Sequence, residues 1–119
     1  GTDYNTADGT GSRDYIHVVD LAIAHVAALN QKKLNNFEVI NIGGGKSTTV
    51  LDLLKSFEDI SGIKIKSKYL PRREGDLPIF WADTSKALKK LNWQPERNIK
   101  KICEDTWQWH KNNPNGYNN

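Results

Sequence analysis

The feature that most constrains this chain is the run FEVINI at 37–42, closed by Gly43-Gly44-Gly45. A short, β-branched, apolar segment that ends in three glycines predicts a buried strand leaving into a tight turn. A helix should follow: Val50, Leu53, Leu54 and Phe57 repeat at i, i+3, i+4, i+7, with Ser47 or Thr48 to cap the start and Gly62 at the C-terminal position. Upstream, Val19, Ala22, Val26 and Leu29 recur at helical spacing, which predicts an amphipathic helix over about 18–31, with Asp20 near its start where the helix dipole favours an anion. Downstream, IKIKSKY at 63–69 alternates strictly, as a half-exposed edge strand would, its three lysines discouraging strand addition.

A strand–helix–strand order over 37–69 implies parallel pairing through a right-handed crossover. Residues 70–82, with two prolines, a glycine and two adjacent arginines, read as an irregular loop. Asp83 or Thr84 should cap a short helix to about Leu91, and a last helix carries Ile99, Ile102, Cys103, Thr106, Trp107 and His110 on one stripe before Pro114 and Gly116 end it. The expected fold is therefore α/β: a small mixed domain with a short, partly parallel sheet and about four helices. The 119 residues make one domain, with an Asn-rich flexible tail at 112–119.

Composition narrows the function. At 37% hydrophobic and 26% charged residues, with four Trp, four Tyr and three Phe and a mean hydropathy of -0.68, the chain is globular rather than disordered. Its longest apolar stretch, Tyr15 to Leu29, holds two histidines and an aspartate and is too short for a membrane span. One cysteine, Cys103, allows no internal disulfide, and nothing resembles a signal peptide, so the expected location is cytoplasmic. A net charge of +3 suits an anionic partner without choosing one. The opening Gly1-Thr2-Asp3-Tyr4 and the lack of methionine are expected of a piece of a longer protein.

Three conventional sites fail on spacing. GGGKS at 43–47 lacks the glycine that a phosphate-wrapping loop needs five residues before Gly45, where Ile40 stands. His17, His25 and His110 are dispersed and cannot make a metal site with a single cysteine. Cys103, on the apolar stripe of the last helix, is expected to act as a small buried hydrophobe. The arginines are more informative. Only four occur against thirteen lysines, yet Arg13, Arg72 and Arg73 all lie in loops beside Gly, Asp and Pro. A guanidinium offers a planar fork for a diphosphate, although ordinary ion pairs with Asp14 or Glu74 would use the same residues. Asp76 can accept hydrogen bonds from vicinal hydroxyls of a ribose or sugar, and Tyr15 and Phe80 can wall such a pocket.

At these residues the chain resembles a known family. DGTGSRDYIHVVDLA at 8–22, NIGGG at 41–45, PRREGDLPIFWAD at 71–83, LNW at 91–93 and DTWQWHKNNPNGY at 105–117 resemble the C-terminal substrate-binding region of the UDP-glucose (UDP-galactose) 4-epimerases, extended short-chain dehydrogenase/reductases. The resemblance implies that Arg13 and Arg73 grip the UDP diphosphate, that Tyr15 lies in the uridine-binding segment, that Asp76 bonds the ribose, and that Phe80 is a bulky gate excluding N-acetylated sugars. It implies interconversion of UDP-glucose and UDP-galactose through a 4-keto intermediate with NAD, in a homodimeric enzyme of galactose metabolism. No tyrosine here is followed four positions on by lysine: Asp8, Val19 and Arg73 stand there after Tyr4, Tyr15 and Tyr69. The family's YxxxK pair and its N-terminal, NAD-binding Rossmann domain are thus outside these residues, which are expected to bind no cofactor and to be inactive alone. Another nucleotide-sugar enzyme, such as a UDP-glucuronate decarboxylase or dehydratase, and a non-catalytic nucleotide-sugar-binding module are the alternatives. Nucleic acid is not expected as a partner, because only the pI and the lysine stripe speak for it.

Overall fold

The computed structural model describes residues 1–31 and 37–117. In chain order the elements are β1 (Ser12–Asp14), α1 (Val18–Leu29), β2 (Ser47–Thr49), α2 (Val50–Ser61), β3 (Ile79–Phe80), α3 (Ser85–Leu91) and α4 (Ile99–Asn112). Among the described residues the fold is α/β, with four helices and a three-stranded mixed sheet in the order β2-β1-β3. β1 runs antiparallel to β2, with Arg13 opposite Thr48, and parallel to β3, with Arg13 opposite Phe80.

The helices form where the periodicity places them, and their ends have local causes. Thr49, rather than Ser47 or Thr48, caps α2 by accepting from the Asp52 amide, because it ends β2 and stands immediately before the first helical residue, Val50. Gly62 closes α2 at φ 71, its amide donating to the Glu58 carbonyl. Asn98 caps α4 through the Lys101 amide. α2 and α4 pack together, with Phe57 meeting Trp107 edge to face at 6.1 Å and Cys103 buried beneath. Burial raises the Cys103 thiol pKa, which keeps it protonated and inert.

Both expected strands are corrected. Residues 37–42 form no strand, although the alternation survives: Glu38, Ile40 and Ile42 turn inward while Phe37, Val39 and Asn41 are exposed. No neighbouring backbone pairs with this segment among the described residues, and a strand needs a ladder as well as a pattern. IKIKSKY fails for the same reason. All its residues are exposed, and its local anchor is Glu58, which takes the Ile65 amide at 2.8 Å and the Lys64 ammonium at 2.7 Å. The expected parallel crossover between these two segments is therefore absent, and the parallel pair is β1 with β3.

The expected burial of α1 is reversed. Val19, Val26 and Leu29 are exposed, whereas Asp20 and Ala24 are buried and Ala27 and Ala28 partly so, against Ala87, Leu91 and Trp93. Small residues let α1 approach α3 closely, leaving the larger ones outside. Asp20 is the exception on that inner face, and its carboxylate is fully partnered: it accepts from the Glu96 and Arg97 amides at 3.2 and 2.9 Å and from the Arg97 guanidinium. Trp93 donates its indole N–H to the Asp20 carbonyl at 3.1 Å. At the same helix start, His17 caps α1 through Nδ1 and donates from Nε2 to Asp105 at 3.0 Å, so α1 is bolted to α4. His25 and His110, by contrast, lie on exposed helix faces, where His25 bonds the Leu21 carbonyl of its own helix. Asn112, expected in the tail, belongs to α4; Asn118 and Asn119 lie outside the described residues.

These carboxylates set the acid stability. Burial raises the Asp20 pKa, but the hydrogen bonds and charge of Arg97 and the Glu96 amide outweigh it, and the net direction is down. Asp105 is lowered first by Lys101, against burial, and further by His17. A carboxylate whose folded pKa lies below its unfolded value stabilises the fold above that unfolded value, about 3.9, and loses the contribution as pH falls through the folded one. The melting temperature should therefore hold from neutral pH down to about pH 4 and fall steeply below it. A thermal-unfolding series across that window checks this, and a flat profile down to about pH 2 would contradict it.

Candidate nucleotide-sugar site

Arg13 is positioned by the most constrained strand of the fold, since β1 is the middle of the sheet. Its Nη1 donates to the Ser12 carbonyl at 2.9 Å, and Nη2 stands 3.5 Å from Asp76 Oδ1. Asp76 arrives from the other side through a turn at 73–76, in which Gly75 takes φ 81 and the Asp76 amide donates to the Arg73 carbonyl. An L side chain is strained at that φ, so glycine is what lets the turn fold back. The turn brings Arg73 Nε to 3.2 Å from Asp76 Oδ2. One carboxylate therefore sits between two guanidiniums. Burial raises its pKa, but the hydrogen bond and charge of Arg73, the Tyr4 hydroxyl and the charge of Arg13 more than compensate, holding Asp76 below the usual carboxylate range.

These groups open onto a cleft of about 460 Å³ lined by Arg13, Tyr15, Arg73 and Asp76. Four of the five expected site residues thus meet in one place. Phe80 does not line that cleft; it is 61% exposed on β3, beside Arg13 in the strand register. The walls include residues that sequence reasoning missed. Tyr4 stands in a turn-rich loop without periodicity, and Val50 and Leu54 read only as the apolar face of α2. An aromatic in a Gly/Asp/Thr loop was the one signal for Tyr4. The cleft offers what a nucleotide needs: a cationic pair, an acceptor for hydroxyls, and apolar and aromatic walls.

The two adjacent arginines do different work. Arg73 faces the cleft, whereas Arg72 turns away to Asp3, with Nε donating to Asp3 Oδ1 at 2.8 Å. Neither expected partner holds, since Arg13 and Arg73 share Asp76 rather than Asp14 or Glu74.

Asp14 has another task. Its carboxylate accepts from the Gly44 amide at 2.6 Å, the Gly45 amide at 3.3 Å and the Ala82 amide at 3.0 Å, clipping three chain segments together at the end of β1. The glycine run therefore exists to admit this carboxylate. A Cβ on Gly43 would lie 2.4 Å from Asp14 Oδ2, and one on Gly44 would lie 2.6 Å from Asp14 Oδ1 and 2.7 Å from the Tyr15 carbonyl. Gly44→Ala should destabilise the chain by about 1–3 kcal/mol and displace the backbone of Tyr15, as overpacking does. Chemical denaturation measures the first effect and amide chemical shifts the second; an unchanged midpoint would refute the crowding.

With its amides taken by Asp14, this loop cannot cradle a phosphate. It is the only glycine run in the chain that links an apolar segment to a helix, so the described residues do not fit a dinucleotide cofactor. Among the described residues there is no cluster of His, Cys, Asp or Glu suited to a metal ion, and no helix is long and apolar enough to cross a membrane.

Known proteins are similar to nearly the whole of this chain. A UDP-glucose 4-epimerase of Drosophila melanogaster is 51% identical over 124 residues, covering 100% of this chain and 35% of its own length. That of Neisseria meningitidis serogroup C is 48% identical over 118 residues, covering 98% and 35%. The crystal structure of UDP-glucose 4-epimerase from Bifidobacterium longum in complex with NAD+ and UDP superposes with a TM-score of 0.91 at 44% identity, over 98% of this chain and 35% of that one. The chain spans about a third of the length of the relatives it matches. The family profile described as GDP-mannose 4,6 dehydratase matches residues 2–106, and the chain belongs to that family.

Proposed function

We propose that this chain is the substrate-binding part of an NAD-dependent UDP-glucose 4-epimerase, and that it holds UDP-glucose and UDP-galactose by the nucleotide. The observation that carries the reading is Asp76 set between Arg13 and Arg73 in a nucleotide-sized cleft. The two guanidiniums take the diphosphate, Asp76 accepts from the ribose hydroxyls and Tyr15 walls the uridine segment. Anchoring by the nucleotide concentrates binding energy away from the hexose, which leaves the sugar free to present either face.

NAD supplies the redox chemistry from residues outside this chain, as does the proton-transferring tyrosine, so the 119 residues alone should show no turnover. The exposed apolar face of α1 and the exposed Phe37 and Val39 are where the rest of the enzyme packs. The intact enzyme works as a cytoplasmic homodimer in galactose metabolism and takes no nucleic acid.

Two measurements test this. Backbone signals of Arg13, Tyr15, Arg73 and Asp76 should shift together when UDP-galactose is added to the chain, and the full-length polypeptide should convert UDP-galactose to UDP-glucose. A full-length protein that acts on UDP-glucuronate but not on UDP-galactose would overturn the reading. Phe80 supplies the finer prediction. As a bulky gate it excludes the N-acetyl group, so Phe80→Ala should raise kcat/KM for UDP-N-acetylglucosamine relative to UDP-glucose by about 10-fold or more. Equal turnover of both sugars by the unaltered enzyme would remove Phe80 from that role.

A further inference from the structure

Arg13 is fixed by the sheet, but Arg73 and Asp76 ride on an exposed turn outside any regular element, and something else must hold them. The tie runs to the opposite end of the chain. Tyr4 is buried to 6% exposure, its amide donates to the Gly9 carbonyl at 3.0 Å, and its hydroxyl donates to Asp76 Oδ2 at 3.3 Å. That is the oxygen which Arg73 Nε also approaches. Over the Tyr4 ring lies the Arg72 guanidinium, 4.2 Å from the centroid, itself bonded to the Asp3 carboxylate and the Asp3 carbonyl.

A buried tyrosine hydroxyl needs a partner, and an ordinary core tyrosine would take the nearest backbone carbonyl. Here the partner is the one carboxylate standing between the two cleft arginines. We infer that Tyr4, gripped by Arg72 and Asp3, is a positioning residue for the nucleotide site: its hydroxyl fixes the Asp76 carboxylate so that Arg13 and Arg73 stay spread and Asp76 keeps lone pairs free for the ligand. Without the hydroxyl, Asp76 Oδ2 is held by the exposed Arg73 alone, and the Arg73–Asp76 pair can swing away from Arg13 and out of the cleft. This rests on the UDP reading above.

A double-mutant cycle in the full-length polypeptide tests it, with UDP affinity read by calorimetry and KM and kcat read with UDP-galactose. Tyr4→Phe keeps the ring under Arg72 and removes only the hydroxyl. It should weaken UDP and raise KM by about 5- to 10-fold while kcat stays within about twofold, the split expected of ground-state anchoring. On an Asp76→Ala background the same change should add less than about twofold, because no side-chain oxygen is left at position 76 to accept the Tyr4 hydroxyl. A Tyr4→Phe affinity within about twofold of wild type overturns the inference, and so does an undiminished loss on the Asp76→Ala background, which would mark a purely structural tyrosine. Arg72→Lys, at a residue that does not itself line the cleft, should weaken UDP by about 2- to 5-fold through the lost stacking and fork, and no change would count against the clamp. Failure of the unaltered protein to bind UDP at all would instead remove the function reading and this inference with it.

Discussion

Asp20→Ala should cost about 3–5 kcal/mol of folding stability, the largest loss of any single substitution considered, because it strips one partner from a buried ion pair. The Asp20 side chain is 2% exposed and the Arg97 side chain 29%, so Arg97 would be left half-buried with its charge uncompensated. The Glu96 and Arg97 amides lose their acceptor in the same step, and the cap region of α4 loses its attachment to α1. Arg97→Ala leaves the buried Asp20 carboxylate without its counter-charge, but it should cost less, since the backbone amides of positions 96 and 97 still donate to that carboxylate. Urea denaturation of both variants measures the difference. Equal losses would mean that the ion pair, rather than the desolvated amides, carries the effect, and losses under about 1 kcal/mol would mean that the loop at 93–98 is held by other contacts.

That interaction also shows where sequence reasoning stops. Asp20 read as an anion favoured by a helix dipole, a local rule, whereas its partners lie 76 and 77 residues away. Helices were legible because their signals are local: periodicity, a Thr or Asn cap, a glycine terminus. Sheets were not, because a strand depends on a neighbour that no pattern names. FEVINI and IKIKSKY carry strong strand patterns and find no partner among the described residues, while the actual strands are the two- and three-residue pieces Ser12–Asp14, Ser47–Thr49 and Ile79–Phe80, too short to register as periodic. On α1 the periodicity marked a stripe correctly but not which stripe is buried, since close approach to α3 favours alanines over valines. The site was more legible than the sheet. From the residues alone Arg13, Arg72 and Arg73 read alike as loop arginines, and only the family resemblance singled out Arg13, Arg73 and Asp76, which the structure brings to one cleft with Arg13 on β1 rather than in a loop. Arg72 could not be separated from Arg73 by chemistry, because adjacent side chains in an irregular turn can point either way.

Arg13→Ala should weaken UDP binding by about 10- to 100-fold, the equivalent of the ~1.5–3 kcal/mol that a hydrogen bond to a charged group contributes. Two losses combine in this estimate. The diphosphate loses its better-anchored donor, since β1 holds Arg13 between two strands while Arg73 extends from a turn with its side chain 84% exposed. Asp76 also loses one of its flanking cations and closes on the other, so that the surviving Arg73 is partly neutralised before any ligand arrives. By the same reasoning Arg73→Ala should weaken UDP less than Arg13→Ala does, because a mobile guanidinium gives up more conformational freedom for each hydrogen bond it makes. Arg13→Lys should fall between, since it restores the charge without the fork that meets two phosphate oxygens at once. Calorimetry on the full-length polypeptide resolves the order. An Arg13→Ala affinity within about twofold of wild type would place the diphosphate elsewhere in the cleft, and Lys equal to Arg at this position would show that position 13 contributes long-range charge alone.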